Sequence, residues 1–216
     1  MISLSQSLRE GSILIKPDFF TPEQFKEFKR RVENDYEYVP TYQPAILPPS
    51  INRLSSVEIA AFKAKHRFEA HPCWETLPLK DSDPEFYNII VDKHKEYLSD
   101  IKFYGVNCFV RKALTEEIKK SYLNSEYIHP HTDKSDFASV VYFEEQGFNN
   151  GLAFFEEGED KIPDMKISSQ SNRLLLYDAK KRHSACSDFK FNVRYVLATF
   201  IAEPPQRGSR YIYTRR

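Results

Sequence analysis

Three shortages in the sequence each exclude a class of protein. The cysteines, Cys73, Cys108 and Cys186, are odd in number, lie far apart and form no Cys-x-x-Cys pair, so we expect neither a disulfide framework nor a structural zinc site. The 31 basic and 31 acidic side chains cancel, which leaves no overall field to hold nucleic acid, and we expect no nucleic-acid partner. No apolar stretch approaches a membrane span and residues 1–4 do not begin a signal peptide, so we expect a cytoplasmic protein without a membrane partner.

The motifs of several common enzyme classes are also missing. No Ser-His-Asp order, paired glutamates or glycine-rich phosphate loop occurs at the spacing that those chemistries need. What remains is a chain of 216 residues with 41% hydrophobic content, enough for one domain with a substantial core. We expect a single domain over residues 1–216, helical in residues 1–100 and rich in strands in residues 101–216.

Helix signals occupy the first hundred residues. Residues 21–24, Thr-Pro-Glu-Gln, combine a capping box with proline at the first helical position, which predicts a helix start. Ser55, three residues before a glutamate, predicts a second helix to about residue 67, and Asp83-Pro84 begins a third. The prolines of residues 40–49 predict an irregular loop.

From residue 103 onward the hydrophobic period changes to two, which predicts strands. Six segments show this pattern: 103–112, 138–143, 151–156, 165–169, 173–178 and 192–202. Six or more strands joined by short turns suit a barrel or a sandwich. The charged segment 113–126 is interpreted as a surface connection, with a lid over a site as the alternative hypothesis.

Two histidines and one aspartate form the most informative pattern in the chain. His131 and Asp133 are two residues apart, so in an extended segment they point to the same side and can reach one ion. His183 follows the apolar run 173–178, which predicts a buried strand. Either histidine alone would more often be structural. Together with the carboxylate they can occupy one face of an octahedral Fe(II) ion and leave three positions open.

Arg194 is the next candidate, because it shares a strand face with Val196, Ala198 and Phe200. A guanidinium on an apolar face is seldom buried without an acidic partner, since removing its water is costly. A bound dicarboxylate would be such a partner, because the planar fork of arginine suits bidentate binding of a carboxylate. The ten residues between His183 and Arg194 are enough for a strand, a turn and the return strand.

These residues together resemble the iron(II)/2-oxoglutarate-dependent oxygenases, and within them the prolyl 4-hydroxylase-like branch. The resemblance implies an α+β fold with a double-stranded β-helix (jelly-roll) core and N-terminal helices against one sheet. It implies Fe(II) held by His131, Asp133 and His183, 2-oxoglutarate bound through Arg194, and O2 as the second cosubstrate. Residues 13–24 are similar to the strand and helix start at the N-terminus of that branch.

The chain departs from the branch at positions that bear on its substrate. Residues 150–154, Asn-Gly-Leu-Ala-Phe, replace a Gly-Gly-x-Thr element, and Arg194 stands where lysine is common. Asn107, two residues before Phe109, is similar to the Asn-x-Tyr by which nucleic-acid dealkylases of the superfamily hold 2-oxoglutarate. Asn107 is therefore a second candidate for binding 2-oxoglutarate.

The resemblance implies a dioxygenase that hydroxylates an unactivated C–H bond and converts 2-oxoglutarate to succinate. The expected substrate is a protein side chain, prolyl among them, or a small metabolite. Two alternatives are open: oxidative demethylation of nucleic acid by the same chemistry, and a β-helix protein of another kind, either a metal hydrolase or a binding module. The balanced charge argues against the first. A zinc hydrolase has no use for a buried Arg194.

Overall fold

The protein is described here by a computed structural model covering residues 2–40, 73–115, 127–144, 147–158, 162–186 and 192–204. Within these residues the chain forms four helices and eleven strands. The predicted helix at 55–67, nearly all of the predicted loop at 40–49 and most of segment 113–126 lie outside the described residues.

The described helices all lie in the first hundred residues. They are α1 (Leu4–Arg9), α2 (Pro22–Asn34), α3 (Leu79–Ser82) and α4 (Pro84–Tyr97). The capping box before α2 is confirmed: the Thr21 hydroxyl accepts from the Gln24 N–H, and the Gln24 side chain accepts from the Thr21 N–H. The predicted start of α4 is also confirmed, since the Asp83 carboxylate accepts from the Phe86 N–H at 3.3 Å.

Two antiparallel sheets follow from the strand pattern. The strands are β1 (Ile13–Lys16), β2 (Val39–Pro40), β3 (Trp74–Glu75), β4 (Gly105–Leu114), β5 (Tyr127–His131), β6 (Phe137–Tyr142), β7 (Gly147–Phe154), β8 (Met165–Ser169), β9 (Leu174–Asp178), β10 (His183–Cys186) and β11 (Val193–Ala202). Among the described residues, the larger sheet has the order β1-β9-β6-β11-β4-β3-β2 and the smaller one β5-β10-β7-β8. All six predicted strands are present, although several begin or end at other residues.

The alternation of side chains along the strands separates two cores. On β9, Leu174 and Leu176 pack against the helices, together with Phe28 of α2 and Ile90 of α4. The intervening Leu175 and Tyr177 face the smaller sheet, and the same cluster contains Leu152 and Phe154 of β7. The helices thus cover one face of the larger sheet and the smaller sheet covers the other, so the predicted α+β jelly-roll architecture is confirmed.

The first hundred residues also extend the larger sheet. β1 pairs with β9, and β3 joins β2 to β4. The sequence carries no signal for β2 and β3, because two-residue strands are too short to show a period. In the part of the chain that is described, no helix has both the length and the apolar character needed to cross a bilayer.

Candidate active site

The fold brings His131 and Asp133, which lie in one segment, together with His183, which lies fifty residues further along the chain. His131 is the last residue of β5 and His183 the first of β10, and the antiparallel register places them directly opposite each other. Asp133 lies two residues beyond β5, where its N–H donates to the Ala179 carbonyl at 2.9 Å. The strand ends therefore set the positions of all three side chains.

The three side chains can share one ion. The His183 Nε2 atom lies 3.3 Å from Asp133 Oδ2, and His131 Nε2 lies 3.7 Å from Asp133 Oδ1. One nitrogen or oxygen from each residue falls within 4.8 Å of the other two. Atoms bound to one metal at about 2.0–2.2 Å lie within such distances of each other.

His183 is held in a fixed orientation by its neighbours. Its Nδ1 lies 2.8 Å from the Lys181 carbonyl oxygen, which can only accept, so Nδ1 carries a proton. Nε2 is then the nitrogen that can donate to Asp133 when protonated and bind a metal when deprotonated. The Tyr177 ring contacts the imidazole edge-on with centroids 4.9 Å apart, and the Phe154 ring lies on another side at 6.3 Å. These neighbours thus direct Nε2 toward Asp133.

The Asp133 carboxyl group is kept in its charged form. Burial alone would raise its pKa, but the hydrogen bond from His183 and the charges of His183, His131 and Arg111 outweigh burial and lower the pKa below the ordinary value. A carboxylate that stays ionised is available as an anionic metal ligand.

Arg194 is buried in the interior between the sheets, with only 4% of the residue exposed. Its guanidinium donates to the carbonyls of Cys186 and Gly151, both at 3.4 Å, and lies over the Tyr142 ring at 5.0 Å from the centroid. Both carbonyls belong to the smaller sheet, so Arg194 spans the space between the layers.

A cavity of about 90 Å³ connects these groups. Its lining includes the histidine–aspartate trio, Arg194, and apolar side chains from both sheets. His183 is at the start of β10 and Cys186, whose carbonyl receives Arg194, is three residues further along, or about 10 Å in a strand. That separation suits a small dicarboxylate with one end at the trio and the other at Arg194.

Asn107 is placed away from these groups. It lies on β4 opposite Phe200, it is exposed, and it does not belong to the cavity lining. Arg111 is on the same face of β4, four residues further along and about 13 Å away in a strand, and it does line the cavity. Asn107 was implied by resemblance to a motif, whereas Arg111 belongs to no such motif and was not predicted. The alternation of the strand was the available signal for Arg111, because positions 107, 109, 111 and 113 share one face.

Comparisons with known proteins support the fold. No protein-family model matches the chain, and no curated protein matches it. A 2OG-Fe(II) oxygenase family oxidoreductase from Burkholderia pseudomallei matches with a TM-score of 0.58 at 13% identity, over 92% of this chain and 87% of that one. A prolyl hydroxylase from Trichoplax adhaerens, solved with a hypoxia inducible factor peptide fragment, matches with a TM-score of 0.57 at 11% identity, over 93% and 87%. HygX from Streptomyces hygroscopicus, with nickel, 2-oxoglutarate and hygromycin B bound, matches with a TM-score of 0.56 at 9% identity, over 88% and 82%.

These matches establish the fold and not a shared substrate. The chain has the jelly-roll fold of the 2OG-Fe(II) oxygenases, prolyl hydroxylases among them, and the resemblance inferred from the His-x-Asp motif is confirmed at that level. What the chain does with the fold depends on its own site residues.

Proposed function

We propose that the protein is an Fe(II)- and 2-oxoglutarate-dependent dioxygenase that hydroxylates an unactivated C–H bond of a protein side chain or a small metabolite. The observation that carries this proposal is the joint presence, in one cavity, of the trio His131, Asp133 and His183 and the buried cation Arg194. The fold shared with 2OG-Fe(II) oxygenases supports it.

The trio fits Fe(II) by its donor set. Two imidazole nitrogens and one carboxylate are the ligands of non-haem iron sites that keep open positions for other ligands. Among the described residues, this trio is the only group of histidine, cysteine, aspartate or glutamate side chains that comes close enough together to hold a metal ion. We assign His131, Asp133 and His183 as the iron ligands.

Arg194 fits the distal carboxylate of 2-oxoglutarate. It is a buried cation whose bonds to the Gly151 and Cys186 carbonyls are long, 3.4 Å each, so a carboxylate can compete for its donors. The Tyr142 ring lies against the guanidinium and lines the same cavity. Asn107 remains a prediction as a cosubstrate residue, and its exposed position makes Arg194 the better-supported choice.

Fe(II) and 2-oxoglutarate, when bound, would supply the oxidising chemistry by which O2, 2-oxoglutarate and a substrate C–H bond give succinate, CO2 and the corresponding C–OH. The protein's own residues hold and orient the groups that react. Tyr177 and Phe154 hold the His183 ring, the Lys181 carbonyl keeps a proton on its Nδ1, and apolar side chains line the cavity beside it. No side chain has to act as a general base.

The proposed substrates are of two kinds, a protein side chain and a small metabolite. The Trichoplax prolyl hydroxylase was solved with a peptide and HygX with hygromycin B, so the fold accommodates both a protein segment and a small molecule. A prolyl side chain is one of the protein substrates that the proposal includes.

The test is an anaerobic titration of the purified protein with Fe(II) and 2-oxoglutarate, following the visible charge-transfer band of the chelated cosubstrate. We expect the band in the wild type, its loss in His183→Ala, and a half-saturating 2-oxoglutarate concentration at least about tenfold higher in Arg194→Ala, since that variant removes a buried carboxylate partner. Lys95→Gln, at an exposed ion pair on α4, serves as the control that leaves the band unchanged.

The absence of a band in metal-loaded wild-type protein would overturn the proposal. A band that survives in His183→Ala would remove His183 from the ligand set, and an unchanged half-saturation in Arg194→Ala would show that another residue binds the cosubstrate.

A further inference from the structure

A second arginine faces the same cavity, and the function proposed above assigns no ligand to it. Arg111 lies on β4 in register with Val196 of β11, and it lines the cavity together with Arg194 and the iron-ligand trio. Its side chain is 32% exposed. A cosubstrate with one distal carboxylate needs one buried arginine, so Arg111 is available to another ligand.

The two guanidinium groups lie toward different ends of the cavity. Arg194 lies over Tyr142, beside the carbonyls of Gly151 and Cys186. The Arg111 guanidinium lies 5.1 Å from the Phe109 ring centroid and 5.9 Å from that of Phe200. Because Phe200 is four residues beyond the register partner Val196, the Arg111 side chain extends along β11 away from Arg194.

The Phe200 end of the cavity is also the end of the iron ligands. Phe200 pairs with Ala138, Ala138 pairs with Tyr177, and the Tyr177 ring is 4.9 Å from His183. The charge of Arg111 acts on Asp133, which places the guanidinium in electrostatic reach of the trio. A ligand group bound by Arg111 would therefore lie near the metal, where the substrate must be.

The guanidinium of Arg111 has N–H groups that can donate hydrogen bonds to a ligand. Its Nε donates to Glu75 Oε1 at 2.7 Å, across the β3–β4 pair. No residue of the described ranges accepts a hydrogen bond from either Nη atom of Arg111. Glu75 occupies one edge of the guanidinium, and the Nη1–Nη2 edge retains the geometry for a second, bidentate carboxylate.

We propose that Arg111 binds a carboxylate of the substrate, and that the substrate is a small carboxylic acid, an amino acid being the simplest kind, whose reacting C–H lies beside the metal. The inference rests on the proposed function, because it assigns a second cation among the described residues of that same site. Arg111 projects from a strand inside the cavity, and not from a loop at its rim, so the anionic group has to enter with the rest of a compact molecule.

A purely structural role for Arg111 makes a different prediction. As a cross-strand ion pair with Glu75 it would contribute at most about 1 kcal/mol of stability, and its loss would leave substrate selection unchanged. A test must therefore measure selection among ligands, and not only stability.

The experiment uses the wild type, Arg111→Gln, Arg111→Lys and a matched control, Arg30→Gln, which removes an exposed arginine paired with Glu27 and Asp35 on α2. The anaerobic charge-transfer titration comes first and tests the proposed function by itself. Succinate release is then measured with the twenty L-amino acids, the corresponding amino-acid amides, small dicarboxylic acids other than 2-oxoglutarate, and blocked peptides that contain Asp or Glu.

We expect at least one free acid to stimulate succinate release in the wild type, and its amide to be at least about tenfold weaker in kcat/KM. In Arg111→Gln the KM for that acid should rise at least about tenfold with a smaller change in kcat, Arg111→Lys should recover part of the loss, and Arg30→Gln should match the wild type.

Four results would overturn the inference while the charge-transfer band still supports an oxygenase. They are an amide as effective as its acid, a panel in which no free acid stimulates turnover, stimulation by the blocked peptides only, and a KM in Arg111→Gln equal to that of the wild type. A strong loss of 2-oxoglutarate affinity in Arg111→Gln would also overturn it, since Arg111 would then belong to the cosubstrate site. Absence of the band in the wild type would instead remove the proposed function.

Discussion

Two buried histidines in this protein have opposite roles, and their hydrogen bonds decide which is which. His94 is completely buried, with Nδ1 2.7 Å from the Ile90 carbonyl and Nε2 2.8 Å from Ser139 Oγ. Both ring nitrogens are used inside the fold, so His94 ties α4 to β6. His183 uses only Nδ1 in that way and turns Nε2 toward Asp133. Residue type alone does not separate the two cases.

The burial of His94 predicts a pH dependence of stability. Burial lowers its pKa from 6.5 to about 4, so between these values the unfolded chain binds a proton that the folded chain does not. The contribution of His94 is complete above the unfolded pKa and is lost as the pH falls toward the folded one. We expect the wild type to lose about 2 kcal/mol more unfolding free energy than His94→Gln between about pH 7 and pH 5.

Urea denaturation of the two proteins at both pH values, with a chelator present, measures this difference. Because each protein is compared with itself, the cost of the substitution cancels. Equal pH dependence in the two proteins would show that His94 has the same pKa in the folded and unfolded states, and would contradict the prediction.

Among the elements, the β7–β8 pair shows how backbone packing places a functional atom. Its register shifts between Gly147 and Gly151, and Gly151 has a φ of +155°. A Cβ at Gly151 would lie 2.0 Å from the Ile167 carbonyl oxygen, so only glycine allows β8 to approach this closely. The Gly151 carbonyl is also an acceptor for Arg194, which means that the same close approach shapes the proposed cosubstrate end of the cavity.

Gly151→Ala should therefore damage both stability and the site. We expect a loss of about 2–3 kcal/mol in unfolding free energy, because the added methyl must push β7 from β8. The half-saturating 2-oxoglutarate concentration should rise in the same variant. Gly105→Ala is the control, since its Cβ would meet nothing within 4 Å, and it should change stability by less than about 0.5 kcal/mol. Equal stability of the two variants, by urea denaturation, would contradict the close approach.

At the scale of the molecule, the two sheets of the described residues enclose the proposed site between them. The proposed iron ligands His131 and His183 belong to the smaller sheet, and Arg194 belongs to the larger one. Metal and 2-oxoglutarate bound together would thus join the layers, and ligands that bind only the folded state stabilise it by mass action.

Thermal unfolding should show this coupling. With anaerobic Fe(II) and 2-oxoglutarate each at about 100 times the dissociation constant, we expect about 2.7 kcal/mol from each ligand and a rise of several degrees in the melting temperature. Arg194→Ala should keep the increment from the metal and lose most of the increment from 2-oxoglutarate, while His183→Ala should lose both. A 2-oxoglutarate increment that is equal with and without metal would contradict a shared site.

Local patterns in the sequence were enough to predict much of this protein. The capping box at Thr21 and the long alternating strands were predictable, because a helix start and a strand period depend on neighbouring residues. The grouping of His131, Asp133 and His183 was predicted from residue chemistry and spacing, and the structure brings these three together. Arg194 was predicted as a buried cation for the same kind of reason, and it is buried.

Tertiary structure alone decided the rest. The pairing of Glu75 with Arg111 and of His131 with His183 depends on register between segments far apart in the chain, which no local pattern encodes. The two-residue strands β2 and β3, the exposed position of Asn107 and the place of Arg111 in the cavity follow from that register. The sequence by itself determined which side chains are available as metal ligands and as buried cations. The packing of the two sheets determined which of them face one cavity, because only packing sets which side chains share the same buried space.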